Sequence, residues 1–310
     1  MPPISPILSI FADVPRIKVV GHLPILQQIF RYLPVNADGR KFNLLGNDMI
    51  AKRQALVTDH TDIFTHLLSA DPVTGIVFTQ EELKLHALLV IVAGADSTST
   101  TLTRIFAVLA SQPDVQARLC QEMNDAFDGE GIPPPEILRN LGYLEGVVKE
   151  GLRMFAPLLG GTPAVVPKGG ITLDTGDFIP QNTQVWIAQH LVMSDDRNFP
   201  RAAEFLPERW IDGENGKANE LIKDRRAWIP FGYGTHACPG RAFAMEEMKF
   251  VVAKVVREFD IRFGQEGEQP FNYEEWAENW KDYFIAEIGE ISLKFIPRAD
   301  MGSIGKDLHL

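Results

Sequence analysis

The residues with the sharpest chemical character fall in one run, Phe231-Gly232-Tyr233-Gly234-Thr235-His236-Ala237-Cys238-Pro239-Gly240-Arg241. One cysteine, Cys238, ends a glycine-rich turn there. Directly after it, Ala244, Met248, Val251, Val252, Val255 and Phe259 recur at helical spacing, so the cysteine stands before a helix. A helix N-terminus offers free N–H groups and the positive end of the helix dipole, and both stabilise a sulfur anion. Pro239 suits a first helical turn because it has no N–H to leave unpaired. Gly234 and Gly240 lack the Cβ atoms that would keep backbone and ligand apart. The chemistry on offer is a thiolate that holds a metal. The plainer alternative is a small cysteine packed in a turn.

Zinc would ask for four ligands, and only His236 and Cys238 stand near each other here. The two cysteines of the chain, Cys120 and Cys238, cannot build an iron–sulfur cluster. A haem asks for one axial protein ligand. The pattern Phe231-x-x-Gly234-x-His236-x-Cys238-x-Gly240 resembles the haem-binding loop of the cytochrome P450 superfamily. The resemblance implies that Cys238 ligates the iron and that Phe231, Gly234, His236 and Gly240 surround the cofactor. It places Phe231 near the sulfur, tuning its potential, and makes His236 a propionate partner.

Two further motifs carry the same resemblance. Leu141, Leu144, Val148 and Leu152 mark an apolar helix face, and on that segment Glu150 and Arg153 are three apart and can pair. A buried pair needs every polar atom satisfied, or desolvation dominates. Relatives supply a third partner from a later loop. Phe205-Leu206-Pro207-Glu208-Arg209-Trp210 provides it here, so the resemblance implies a structural triad of Glu150, Arg153 and Arg209.

The other motif is Ala93-Gly94-Ala95-Asp96-Ser97-Thr98. It lies inside a long helical stretch that opens with a capping box, Thr79 to Glu82, and closes at Ser111-Gln112-Pro113. Glycine and a run of hydroxyls are poor helix residues, so a local distortion is expected there. In the family, an acid and an alcohol at this point pass protons to iron-bound dioxygen. The resemblance implies that role for Asp96 with Ser97 or Thr98. Relatives usually place threonine directly after the acid; serine stands there here and lacks the β-methyl that fixes the rotamer. The same resemblance puts Ala93, Gly94, Leu158 and Leu159 in the substrate pocket. The loop carrying the two leucines, Pro157 to Thr162, reads equally well as a flexible link.

The elements that position these residues read as mainly α with a small β region. Ala164-Val165-Val166-Pro167, Ile171-Thr172-Leu173, Phe178-Ile179 and Gln184 to Ala188 are short β-favouring runs split by Gly and Pro. Ile291, Leu293 and Phe295 alternate with polar neighbours and predict a closing strand, while Tyr273 to Tyr283 reads as surface helix or loop. Many relatives place an arginine for a haem propionate where Ala164 stands. Trp228 could donate a hydrogen bond there or simply pack.

The chain has 310 residues, 45% hydrophobic and 23% charged, which suits a soluble globular body with a sizeable core. Its net charge of −11 argues against a nucleic-acid partner. Two cysteines make no disulfide framework, and Cys120, amid Val115, Leu119 and Met123, reads as core. No stretch reads as long enough to span a membrane. Five prolines in residues 1–30 speak against a signal peptide or an anchor.

The resemblance covers 79–298, with 1–78 holding preceding helices (Leu26 to Leu33, then Asp48 to Ala70) and 299–310 a tail. It implies an N-terminally truncated cytochrome P450-like haem-thiolate fold, one incomplete domain overall. It also implies insertion of one atom of O2 into a small apolar organic substrate, with electrons from an NADPH-dependent reductase. Family members usually sit at the endoplasmic reticulum membrane. The Gly160 to Gly170 stretch is similar to fungal biosynthetic members. A haem-thiolate isomerase or dehydratase, and a catalytically dead remnant or scaffold, are the alternatives.

Overall fold

The computed structural model describes residues 37–129, 131–211, 220–264, 271–283 and 285–298. The proline-rich start, the segment Leu26 to Leu33 and the tail 299–310 lie outside the described residues. The chain forms two compact units, Met1–Asp96 and Ser97–Leu310.

In the first unit, α1 (Ala37–Ala55) and α2 (Ile63–Leu68) replace the single helix expected from Asp48 to Ala70. The break has a clear cause. Asp62 accepts from the Thr65 amide at 2.8 Å while its own amide donates to Thr65 Oγ1 at 3.1 Å. This reciprocal cap starts a new helix instead of continuing the old one. Ile50 of α1 is buried with Leu83 and Ala87 of α3 (Gln80–Ser111).

Helix α3 runs unbroken through Gly94 and the hydroxyl run, so the expected distortion does not occur. Thr101 and Thr103 donate back to the carbonyls of Ser97 and Ser99 at 3.0 and 2.8 Å. These hydroxyls are satisfied within the helix rather than by breaking it. Contrary to the reading that no stretch is long enough, α3 has the length and apolar composition of a membrane span. Only 22% of its most apolar stretch is buried. Leu83, Ala87 and Leu88 are buried in the first unit, and Ile105, Ala107, Val108 and Leu109 in the second. Leu85 and Leu89 are exposed.

The second unit continues with α4 (Pro113–Ala126), α5 (Pro135–Leu138) and α6 (Gly142–Met154). Four short strands follow, β1 (Ala164–Val165), β2 (Ile171–Thr172), β3 (Phe178–Ile179) and β4 (Gln184–Val185), then α7 (Gln189–Met193). Helix α8 (Arg241–Glu258) and β5 (Phe259–Phe263) precede α9 (Tyr273–Glu278), β6 (Trp280–Tyr283), β7 (Ile285–Ile288) and β8 (Leu293–Pro297). The strands pair as antiparallel ladders, β1 with β4, β2 with β3, β5 with β8 and β6 with β7. Three expectations are corrected here. Phe259 opens β5, paired with Pro297, rather than extending the helix. Trp186 to Ala188 lie beyond β4. The segment from Tyr273 to Tyr283 holds one strand of the β6–β7 hairpin, with Trp280 opposite Ile288. Its charged residues Lys281 and Asp282 hid that strand from a hydrophobicity pattern.

One core joins these pieces. Ile105 and Leu109 of α3, Leu119, Cys120 and Met123 of α4, Leu144, Val148 and Leu152 of α6, Met248, Val252 and Val256 of α8, and Ile261 of β5 are buried together. Gln116 is the polar rivet of this core. It accepts the Ile261 amide at 2.8 Å and donates to the carbonyls of Leu109 and Ile261 at 3.2 and 3.1 Å. Gln116→Leu strands those backbone groups in an apolar interior. We expect a loss of about 2–4 kcal/mol in denaturant unfolding, with the far-ultraviolet spectrum retained.

Candidate functional site

Glu150 and Arg153 lie on α6, three residues apart on the buried face, and neither has more than 1% of its surface exposed. Arg209 comes from a short 3-10 turn, Pro207–Trp210, and is fully buried. This turn approaches α6 so closely that a Cβ on Gly146 would sit 2.5 Å from the Pro207 carbonyl oxygen. Glu150 Oε1 accepts from Arg153 Nη2 at 2.9 Å, Arg209 Nε at 3.1 Å and the Leu206 amide at 3.2 Å. Its Oε2 accepts from Arg153 Nε at 2.9 Å and Trp210 Nε1 at 2.9 Å. Further guanidinium hydrogens go to backbone carbonyls. Arg153 donates to Met193 and Ala202 at 2.9 and 2.8 Å, and Arg209 to Pro200 and Arg201 at 2.8 and 3.0 Å. Two buried cations on one anion persist because carbonyl dipoles take the donors the carboxylate cannot.

Trp210 was not singled out by its sequence. Its ring meets Trp228 edge-on at 5.6 Å, and Trp228 meets Phe231 at 6.1 Å. Trp228 donates its N–H to the Lys149 carbonyl at 3.1 Å. That bond ties it to α6 and takes the donor that could have reached a cofactor. Arg241 was likewise passed over. Its guanidinium lies 5.5 Å from the Trp228 ring and 5.8 Å from the Phe231 ring, stacking a cation on the aromatic pair at the start of α8.

The cysteine loop is built on this floor. Gly232 and Gly234 adopt φ of 70° and 72°, a region that side chains disfavour. A 3-10 turn over Gly234–His236 leads to Cys238, whose amide donates to the Phe231 carbonyl at 2.8 Å and closes the loop. Helix α8 opens at Arg241 with Gly240 as its cap. Pro239 therefore stands before the cap, not in the first turn. Proline disfavours helical backbone at the residue before it, so the helix cannot extend back through Cys238. Cys238 is exposed, which excludes the packed-cysteine reading. Residues 233–239 form a continuous exposed stretch that includes His236, and a Cβ on Gly240 would touch Cys238 Sγ at 3.7 Å. Among the described residues, no cluster of three or more His, Cys, Asp or Glu could hold a metal ion. The donor set is a lone exposed thiol at a helix N-terminus, which fits the single axial ligand that a haem needs.

Along α3, Ala93 and Gly94 are exposed, Asp96 and Ser97 half-buried and Thr98 buried. Burial raises the Asp96 carboxyl above the usual aspartate range, because removal from water disfavours the charged form. The Pro157 to Thr162 loop is pinned rather than flexible. The Pro157 carbonyl accepts from Ala286, and the Leu159 carbonyl from His190. Gly161 has φ 67°, and a Cβ there would lie 2.3 Å from the Ile187 carbonyl oxygen. Leu159 is buried and Leu158 half-buried, so Leu158 has the freer surface. Ala164 stands exposed at the start of β1.

The family model for cytochrome P450 matches residues 25–285. The chain belongs to the cytochrome P450 family. It is 35% identical over 253 residues to the cytochrome P450 monooxygenase nodW of Hypoxylon pulicicidum, covering 81% of this chain and 44% of that protein. It is 31% identical over 286 residues to the cytochrome P450 monooxygenase astJ of Aspergillus oryzae, covering 91% and 55%. A crystal structure of a cytochrome P450, CYP102L1, superposes with a TM-score of 0.69 at 25% identity, over 84% of this chain and 56% of that one. The chain thus spans about half the length of the relatives it matches.

Glu150→Gln leaves two buried guanidiniums facing a neutral amide. The expected cost is about 3–5 kcal/mol, read as a lower denaturation midpoint.

Proposed function

We propose that this chain is the haem-binding part of a monooxygenase that inserts one atom of O2 into an apolar organic substrate in secondary-metabolite biosynthesis. A reductase that draws on NADPH supplies the electrons. One observation carries the reading: an exposed Cys238 thiol held at the N-terminal end of α8 by the bond from its amide to Phe231. The fungal monooxygenases similar to the chain support it. Haem ligated by a cysteine thiolate supplies activation of dioxygen.

The chain's own residues have separate tasks in this account. Cys238 holds the cofactor at the N-terminal end of α8. Phe231 packs beside the sulfur, and His236 is the propionate partner in the loop. Gly234 and Gly240 keep the approach clear. Asp96, with its raised carboxyl, holds a proton at a pH where an ordinary aspartate has lost it. Ser97 passes that proton on, and buried Thr98 packs the helix. Glu150, Arg153 and Arg209 fix the floor under the loop. Ala93 and Gly94 in the first unit, and Leu158 and Leu159 in the second, are the residues that the family resemblance assigns to substrate.

A second reading rests on one observation: Ala164 and Trp228 offer no free donor to a propionate. That reading is a remnant with weak haem binding.

The chain supplied with haem, reduced and exposed to carbon monoxide is expected to give a strongly red-shifted Soret band, and Cys238→Ala to lose it. Absence of haem uptake supports the remnant instead. Product that forms without O2 or an electron donor points to an isomerase. Within the monooxygenase reading, Ser97→Ala should lower product formed per electron by about a hundredfold, the low end for a positioned proton donor. Thr98→Ala should change it less than about threefold, a span too small for the loss of such a donor.

A further inference from the structure

Arg104, on α3 within the second unit, is 3% exposed. Among the described residues it makes no hydrogen bond and no ion pair, and its Nε is buried without a partner. Its guanidinium lies 5.6 Å from the Phe155 ring. A cation so placed is costly, and proteins pair one that serves only the fold, as Arg153 and Arg209 are paired here. Burial lowers the Arg104 pKa to about 10, still well above neutrality, so the charge persists.

Nearby, α7 carries two more orphans. The Gln189 Oε1 and His190 Nδ1 atoms are buried without partners. His190 stands within electrostatic reach of Arg104, whose charge, after burial itself, lowers its proton affinity. The imidazole meets the Trp280 ring edge-on at 5.4 Å, and the His190 amide holds the Leu159 carbonyl. His190 therefore lies against Leu159 of the loop assigned to the substrate pocket and beside Trp280, and Arg104 lies against Phe155.

We infer that Arg104 and His190 form a carboxylate-binding site, and that its ligand is an organic acid with an apolar body. The guanidinium presents a planar fork to a carboxylate, and the aromatic and leucine surroundings suit an apolar chain better than a small hydrated anion. The inference deepens the monooxygenase reading by naming a substrate class. It rests on that reading only for calling the acid a substrate. The carboxylates of haem are the other source of the same chemistry.

The test uses the full chain without haem. Decanoate, decanol and inorganic phosphate are titrated by calorimetry, melting is followed, and haem uptake is recorded in a separate titration, for wild type and Arg104→Met. Wild type should bind decanoate about tenfold or more tighter than decanol, the size of one charge-assisted hydrogen bond, with phosphate negligible. Arg104→Met should bring the two decyl ligands within about twofold, since only the shared apolar transfer remains. Its melting temperature without ligand should equal or exceed wild type, because an unpaired buried charge has been removed. Should the variant melt lower, Arg104→Lys is substituted; it keeps the charge but not the fork, and an intermediate preference is expected. Equal affinities for decanoate and decanol in wild type overturn the inference. So does a phosphate affinity matching that of decanoate, or a variant whose only change is weaker haem uptake, which assigns the charge to the cofactor. A chain that takes no haem yet prefers decanoate leaves this site standing and removes only the oxygenation chemistry.

Discussion

The carboxylate of Glu150 is the constraint on which the second unit depends. It has no exposed surface, and five hydrogen bonds converge on its two oxygens from Arg153, Arg209, Trp210 and the Leu206 backbone. The donors come from two parts of the chain, α6 and the turn around Pro207–Trp210. A hydrophobic contact at this place would tolerate sliding. A saturated carboxylate does not, because each displaced donor would be stranded away from water. The arginines extend the constraint outward to carbonyls at Met193, Pro200, Arg201 and Ala202. A segment with almost no regular structure is thereby held as firmly as a sheet.

From that carboxylate a line of aromatic rings leads to the chemistry. Trp210 takes Glu150 on its N–H side and Trp228 on its ring edge, and Trp228 meets Phe231. Phe231 in turn supplies the carbonyl that holds the Cys238 amide. The thiol is thus positioned from beneath by packing and from behind by one backbone bond. Its side toward solvent is left bare by glycine. An exposed cysteine that is rigidly held can serve as a ligand, whereas one that is merely exposed is only reactive.

Much of this was legible in the sequence because the signals were local. The Glu150–Arg153 spacing, the Thr79 cap and the glycines of the cysteine loop each state their geometry within a few residues. What was missed depended on distance in the chain. Trp210 and Arg241 acquire roles only when the Pro207 turn and the start of α8 come against residues far away in sequence. The donor of Trp228 looked available until the fold set it on the Lys149 carbonyl. Arg104 carries no local signal, and only burial makes it an anomaly. The break between α1 and α2 was misjudged for the opposite reason. A purely local device, the Asp62 cap, outweighed a helical pattern that ran through it.

The proposed bond between Cys238 and a haem iron is reported most directly by the iron's own coordination shell. X-ray absorption at the iron edge of the haem-loaded chain should show one sulfur neighbour in addition to the ring nitrogens. In Cys238→Ala that neighbour should be gone. A shell of nitrogen and oxygen alone in the wild-type chain, or a sulfur neighbour that survives the substitution, would contradict the account.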